Sequence, residues 1–235
     1  MYLPQLDNYS LSFPDPRDAN KEGIVAWGGD LNPSRLLRAY QSGIFPWYSQ
    51  QDPILWWSPN PRLIMELDDF KLGRSLKKKL KKFEYRFDTQ FQEVMHKCAS
   101  IQRKDQNGTW INAQLAESFN ILHSAGIAHS IESYQNNKLV GGLYGLVIGK
   151  VFCGESMFAE VTDASKAAYA VLVKHLKEWG YDFIDCQVPT DHLKSLGAKE
   201  VSRDYFLERL YKVNMDTIKN EWIINKNLIM FVSNR

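Results

Sequence analysis

Residues 139–158 read LVGGLYGLVIGKVFCGESMF, and residues 181–188 read YDFIDCQV. The first stretch is rich in β-formers, carries Gly141, Gly142, Gly145 and Gly154, and has turn chemistry at Gly149–Lys150. Just upstream, HSIESY alternates apolar and polar residues, and Gln135-Asn136-Asn137-Lys138 supplies another turn. The spacing predicts three antiparallel strands. Glycines weaken plain strands, so these four mark bulges or places where a ligand approaches the backbone. A helix follows: Thr162 or Asp163 can cap it, Ala164, Ala168, Val171, Leu172, Leu176 and Trp179 form its apolar stripe, and Gly180 ends it. YDFIDCQV then reads as a strand, DHLKSLGA as a short helical turn, and the residues near Glu200–Ser202 as another strand. Strands, helix, strand, short helix, strand is an α/β order, and a helix leaving the meander for a neighbouring strand implies a right-handed crossover with parallel pairing.

Upstream of this block, INAQLAESFNILHSAG predicts a helix with Leu115, Phe119 and Leu122 on one face and Gly126 as its stop. Residues 71–86, KLGRSLKKKLKKFEYR, hold eight Lys or Arg against one acid, Glu84. Leu72, Leu76, Leu80 and Phe83 recur at helical spacing, so the stretch reads as a helix with an apolar stripe and a basic outer face. That face is either an ordinary solvated one, the commoner case, or a surface for a polyanion. Residues 43–62, GIFPWYSQQDPILWWSPNPR, place Trp47, Trp56 and Trp57 among four prolines, which excludes a long helix or a central strand. The tryptophans therefore sit on turns and short extended pieces. They either anchor the segment or offer rings to a flat ligand. A domain boundary falls near Arg62, where this segment gives way to the Leu63–Met65 run. The tail, NEWIINKNLIMFVSNR, reads as a strand or packed arm.

Composition narrows the class. Of 235 residues 44% are hydrophobic and 24% charged, ordinary globular usage. No apolar run is long enough to span a bilayer, and the N-terminus lacks the basic start and apolar stretch of a signal peptide. Cys98, Cys153 and Cys186 are odd in number and widely spaced, which suits reduced thiols in the cytoplasm. The histidines show no metal-site spacing and the cysteines no CxxC, so a zinc site is not expected. Lys150 lacks the glycine offset of a P-loop. No helix shows a spare apolar face, so a monomer is the default.

Within YDFIDCQV, Asp185 and Gln187 are two apart and share a face, with Ile184, Cys186 and Val188 on the other. An inward carboxylate beside an amide is either a hydrogen-bonded pair that ends the strand or part of a site at the strand's C-terminal end. Glu155 near the end of the third strand brings a second acid towards the same crevice, and two acids suit a cationic amine. Cys186 has no histidine partner and reads as a small buried hydrophobe.

GIVAWGGDLNPSRLLRAYQSGIFPWYSQQDPILWWSPNPR, TWI, AHSIE, LVGGLYG, FCGESMF, ASK, IDCQ, HLKSLGA and SRDYFL occur in this order. Together they resemble the leucyl/phenylalanyl-tRNA–protein transferase family. The resemblance implies a small N-terminal domain, residues 1–62, and a catalytic domain, residues 63–235, of mixed α/β architecture like the acyl-CoA N-acyltransferase (GNAT) core. It implies transfer of leucine or phenylalanine, methionine less well, from aminoacyl-tRNA to proteins with N-terminal Arg or Lys. That transfer marks them for N-degron proteolysis. By motif, Trp47 and Trp110 would stack on the terminal adenosine, and Arg74, Lys78, Lys81 and Lys82 would meet tRNA phosphates. Leu143, Met157, Leu172, Leu176 and Ile184 would line the aminoacyl pocket. Asp185 and Gln187 would form the catalytic pair, Asp185 polarising or accepting the proton and Gln187 orienting the amine, with Glu155 holding an amine. Aminolysis of an activated ester needs no ATP, metal or other cofactor. The chain departs from the family pattern at Lys71 and Gly73 (usually His and Ser), at Phe119 (commonly Tyr), at Ala159-Glu160 (commonly Ser-Arg) and at Asp163 (usually Asn). An acyl-CoA N-acyltransferase, a cell-wall aminoacyl transferase and a non-catalytic RNA-binding protein are the competing readings; the first lacks its Q/R-x-x-G-x-G/A loop here.

Overall fold

The three strands around the glycine-rich stretch form as a continuous meander. They are β7 (Ala128–Gln135), β8 (Lys138–Ile148) and β9 (Val151–Ala159), paired antiparallel in order. The computed structural model describes residues 3–49, 51–100, 111–213 and 221–229. Asn136 and Asn137 both sit at positive φ, 52° and 59°, the condition a tight two-residue hairpin loop imposes. At Gly145 the β8–β9 register shifts, and an added Cβ would lie 2.2 Å from the Cys153 carbonyl oxygen and 2.7 Å from the Phe152 ring. Only glycine lets that ring lie across the strand.

From β9 the chain enters α5 (Ala164–Glu178) and returns as β10 (Phe183–Gln187), parallel to β9. β5 (Arg62–Glu66) pairs antiparallel with β10, and β11 (Lys199–Val201) with β5, while β6 (Glu84–Phe87) closes the far edge against β7. The result is a seven-stranded mixed sheet in the order β11-β5-β10-β9-β8-β7-β6. β1 (Gln5–Leu6), β2 (Ile24–Gly28), β3 (Phe45–Pro46) and β4 (Leu55–Trp57) make a separate four-stranded sheet, with α1 (Pro33–Gln41) between β2 and β3. The mixed α/β class with a small N-terminal unit is as expected.

Two cores flank the large sheet. One joins α3 (Phe91–Ser100), α4 (Ala113–Ser124) and α7 (Arg203–Lys212) to the N-terminal unit through Phe91, Phe119, Phe206, Tyr40 and Trp56. The other joins α5, α2 (Arg74–Lys79) and the C-terminal residues Trp222, Ile224 and Ile229. α6 (Asp191–Ser195) is the short turn expected after β10. Over its described residues, 221–229, the tail is a packed arm rather than a strand, with a helical turn over 226–229; its remaining residues lie outside the described ones. Trp56 is fully buried and donates from Nε1 to the Gly28 carbonyl at 2.9 Å, and Trp57 donates to the Trp47 carbonyl, so both anchor their segment. Among the described residues no helix is long and apolar enough to cross a membrane.

Two local expectations are corrected. The basic stretch is not one helix: α2 ends at Lys79, a 3-10 turn covers Leu80–Lys82, and β6 begins at Glu84. Phe83, Tyr85 and Phe87 are buried at a spacing of two, a strand period that replaces the helical one. Neither Thr162 nor Asp163 caps α5 with its side chain. Asp163, at φ 69°, occupies the cap position but pairs with Lys79 at 2.5 Å and Lys166 at 3.7 Å.

The contact at Gly145 predicts that Gly145→Ala lowers unfolding free energy by about 3 kcal/mol, the upper range for overpacking a filled interior. Urea denaturation checks this; an unchanged midpoint would contradict the described packing.

Candidate active site

At the C-terminal ends of β9 and β10 the sheet opens into a cavity of about 460 Å³. That volume falls within the range of roughly 300–1,000 Å³ usual for small-molecule sites. Leu143, Met157 and Ile184 line it, with Phe152, Tyr169 and Cys186, and the N-terminal unit contributes Phe45, Pro46 and Trp47. The polar lining includes Glu155, Gln187, Thr190 and His192.

Glu155 is the carboxylate in this wall. Its Oε1 accepts from Tyr40 Oη at 2.6 Å and from Gln187 Nε2 at 2.7 Å, and no described residue bonds to Oε2. Burial raises its carboxyl to about 7, an effect that the two hydrogen bonds only partly offset. Tyr40 is itself pushed well up by burial and by Glu155, so its phenol stays protonated and donates. A carboxyl that titrates near neutrality beside an apolar cavity is a candidate proton acceptor.

Asp185 is placed differently. Arg62 clasps it through Nε at 2.8 Å and Nη2 at 2.6 Å, and both side chains are 1% exposed. The Gln187 N–H donates to Asp185 Oδ1 at 3.0 Å. The third Arg62 nitrogen donates to the Gly43 carbonyl, and the guanidinium lies 4.8 Å from the Phe45 ring centroid and 4.3 Å from that of Phe206. Strict alternation along YDFIDCQV does not survive this arrangement. The β10–β5 register shifts between Asp185 and Gln187, and Gln187 takes φ 62°. That left-handed conformation costs a non-glycine residue and persists where its surroundings over-determine it. As a result Ile184, Cys186, Gln187 and Val188 all line the cavity, whereas Asp185 does not.

Of the residues expected in the site, Glu155, Gln187, Leu143, Met157, Ile184 and Trp47 come together at the cavity. Leu172 and Leu176 do not line it; both are fully buried in the core. α5 runs back from the cavity end of β9, and Tyr169 is its lining residue. At 1.5 Å per residue, Leu172 and Leu176 lie ~4.5 and ~10 Å further along the helix. Trp110 lies outside the described residues. Arg74, Lys78, Lys81 and Lys82 are exposed on the α2 segment, whereas Lys79 is engaged by Asp163. Cys186, expected as a small buried hydrophobe, is instead half-buried in the cavity wall, and desolvation pushes its thiol up to about 12. Among the described residues no three His, Cys, Asp or Glu side chains group to hold a metal ion. Sequence reasoning missed Arg62 and Tyr40. An arginine opening an apolar strand run was the available signal for Arg62; Tyr40 reads as one more residue of the α1 apolar stripe.

The sequence matches two family models: leucyl/phenylalanyl-tRNA protein transferase over residues 64–211, and the N-terminal domain of the same transferase over residues 29–60. A leucyl/phenylalanyl-tRNA–protein transferase from Sulfurimonas denitrificans is 68% identical over 220 residues, 94% of this chain and 96% of its own. One from Hydrogenovibrio crunogenus is 51% identical, over 86% of this chain and 80% of its own. Among solved structures, a conserved protein of unknown function from Staphylococcus epidermidis aligns at TM-score 0.38 and 10% identity, over 60% of this chain and 57% of its own.

Arg62→Met strands the Asp185 charge in the interior and is expected to cost about 3–5 kcal/mol of stability. The double variant Arg62→Met/Asp185→Leu removes both charges and recovers most of it. Chemical denaturation of both variants checks this, and a single variant as stable as the parent would contradict it.

Proposed function

This chain belongs to the leucyl/phenylalanyl-tRNA protein transferase family, and from that premise we propose its reaction and site. It moves leucine or phenylalanine, and methionine less well, from aminoacyl-tRNA to proteins that begin with Arg or Lys. The new N-terminal residue marks the acceptor for N-degron degradation. In this reading the enzyme works in the cytoplasm as a monomer, and the chain divides near Arg62. Residues 1–62 supply Trp47, and residues 63–235 supply the carboxylate and amide of the site.

The observation that carries the proposal is the apolar cavity with Glu155 and Gln187 in its wall. Leu143, Met157 and Ile184 form an unpolar receptacle for the aminoacyl side chain, which suits leucine, phenylalanine and methionine alike. One methylene in such a pocket discriminates by only about 1–3 kcal/mol. Trp47 beside the same cavity supports stacking of the terminal adenosine, and stacking tolerates any base. The exposed Arg74, Lys78, Lys81 and Lys82 support phosphate contacts along the acceptor stem.

The chemistry is aminolysis of an ester. The acceptor's α-amine attacks the aminoacyl carbonyl, the C–N bond forms, and the ribose oxygen leaves. Glu155, ionised and with no partner at Oε2 among the described residues, takes a proton from the attacking amine and returns it to the departing oxygen, so the proton count closes. The Gln187 amide nitrogen is committed to Glu155. Its carbonyl oxygen remains to accept an N–H of the incoming amine and aim the lone pair. Asp185, sealed against Arg62, acts through Gln187 rather than on substrate, which changes the proton-accepting role read from the sequence. An activated ester becomes an amide, so the reaction is downhill without ATP.

Two outcomes test this. With radiolabelled Leu-tRNA and two peptides differing only in an N-terminal Arg or Asp, acid-stable label is expected on the Arg peptide alone. Label on neither, with tRNA still bound, would overturn the reading and direct the test to cell-wall precursors. Asp185→Asn is expected to lower turnover by about 10²-fold through misplacement of Gln187, with tRNA affinity kept. Near-normal turnover would remove Asp185 from the account.

A further inference from the structure

The C-terminal arm, described over residues 221–229, touches the site from behind. Trp222 stacks on the His129 imidazole at 3.8 Å and 9°, and meets Trp179, Phe87 and Tyr181 at 5.0, 5.3 and 6.5 Å between ring centroids. It also meets Phe152 at 6.1 Å and 40°. Phe152 is 1% exposed and lines the cavity. Its ring is confined on the strand side too, because the β8 backbone at Gly145 lies so close that an added Cβ would sit 2.7 Å from it. The arm is held independently by the Asn225 N–H, which donates to His175 Nε2 at 2.9 Å, and by Ile224 and Ile229 in the same core.

We propose that Trp222 is a positioning residue for donor choice: by packing on Phe152 it fixes the wall of the aminoacyl pocket. The inference rests on the reading above that this cavity receives the donor side chain. Interiors are close-packed, so a ring held between a strand backbone and a second ring has little freedom to yield. Trp222 is itself half-buried, so without it space opens on the far side of Phe152, and the ring can retreat into it. The pocket then deepens, and the longer donor gains relative to leucine. No contact between Trp222 and the substrate is required.

The test measures kcat/KM for Leu-tRNA and Phe-tRNA with one Arg peptide, alongside thermal denaturation, for Trp222→Ala, Trp222→Phe, Phe152→Leu and Trp222→Ala/Phe152→Leu. Trp222→Ala is expected to raise the Phe-to-Leu ratio about 3- to 10-fold, within the discrimination an apolar pocket offers. Trp222→Phe is expected to return it towards the parent value. The double variant is expected to match Phe152→Leu alone, because the effect of Trp222 passes through that ring. A purely structural role would lower both donors together and leave the ratio unmoved, and that result overturns the proposal even if the melting temperature falls. Ratios that multiply in the double variant overturn it as well. If Trp222→Ala does not fold, Trp222→Leu is read by the same ratio and the same two criteria. A parent enzyme that transfers from neither tRNA would sink the transferase reading and this inference with it, whereas transfer with an unmoved ratio sinks only the inference.

Discussion

The buried pair of Arg62 and Asp185 constrains the rest of the site. Two charges at 1% exposure are tolerable only when every strong donor and acceptor is engaged, and here the guanidinium meets the carboxylate twice and the Gly43 carbonyl once. Phe45 and Phe206 cover its faces. One side chain from β5 therefore links β10, the turn after α1, β3 and α7. The remaining Asp185 capacity is used by the Gln187 N–H, and that bond accompanies the bulge and the left-handed φ at Gln187. The strained residue points its amide at Glu155, and Glu155 reaches back to Tyr40 in the N-terminal unit. A run of hydrogen bonds thus extends from a sealed ion pair to a carboxylate that faces the cavity.

That division of labour separates the two acids. Asp185 has a cation and a backbone donor fixed on it; among the described residues Glu155 accepts from two neutral donors, in a largely apolar, half-buried setting. Burial therefore outweighs hydrogen bonding at Glu155 and leaves it to titrate near neutrality. Two carboxylates that read alike in sequence end with different chemistry because their partners differ.

Much of the fold was legible because its signals are local. The Asn136–Asn137 turn, the alternation in β7, the stripe of α5 and its stop at Gly180 each depend on residues within one or two turns of each other. What was not legible depends on partners remote in sequence. Arg62 and Asp185 are 123 residues apart, and no periodicity announces that pairing or the bulge it accompanies. The helical spacing of Leu76, Leu80 and Phe83 runs into β6 without a break, because both periods bury Phe83. Leu172 and Leu176 belong to the expected apolar stripe, but a stripe does not say which end of a helix faces a cavity.

Two of the departures from the family pattern also find partners. Glu160 and Asp163, two positions where the resemblance implies a different residue, pair with Lys97 at 2.5 Å and with Lys79 and Lys166. Each acid is satisfied within the fold, but it neutralises a lysine in doing so, Lys97 in α3 and Lys79 beside the exposed basic residues of α2, so the local positive potential is lowered rather than restored. The most direct test of the account is the pH dependence of kcat/KM for transfer from Leu-tRNA, in the parent enzyme and in Glu155→Gln. The ionised carboxylate is the reactive form, so the parent rate should climb as pH rises through about 7, with a further climb near ~8 as the acceptor amine loses its proton. Glu155→Gln should lose the first climb and keep the second. A variant that retains the climb near 7 would contradict the assignment of Glu155 as the proton acceptor.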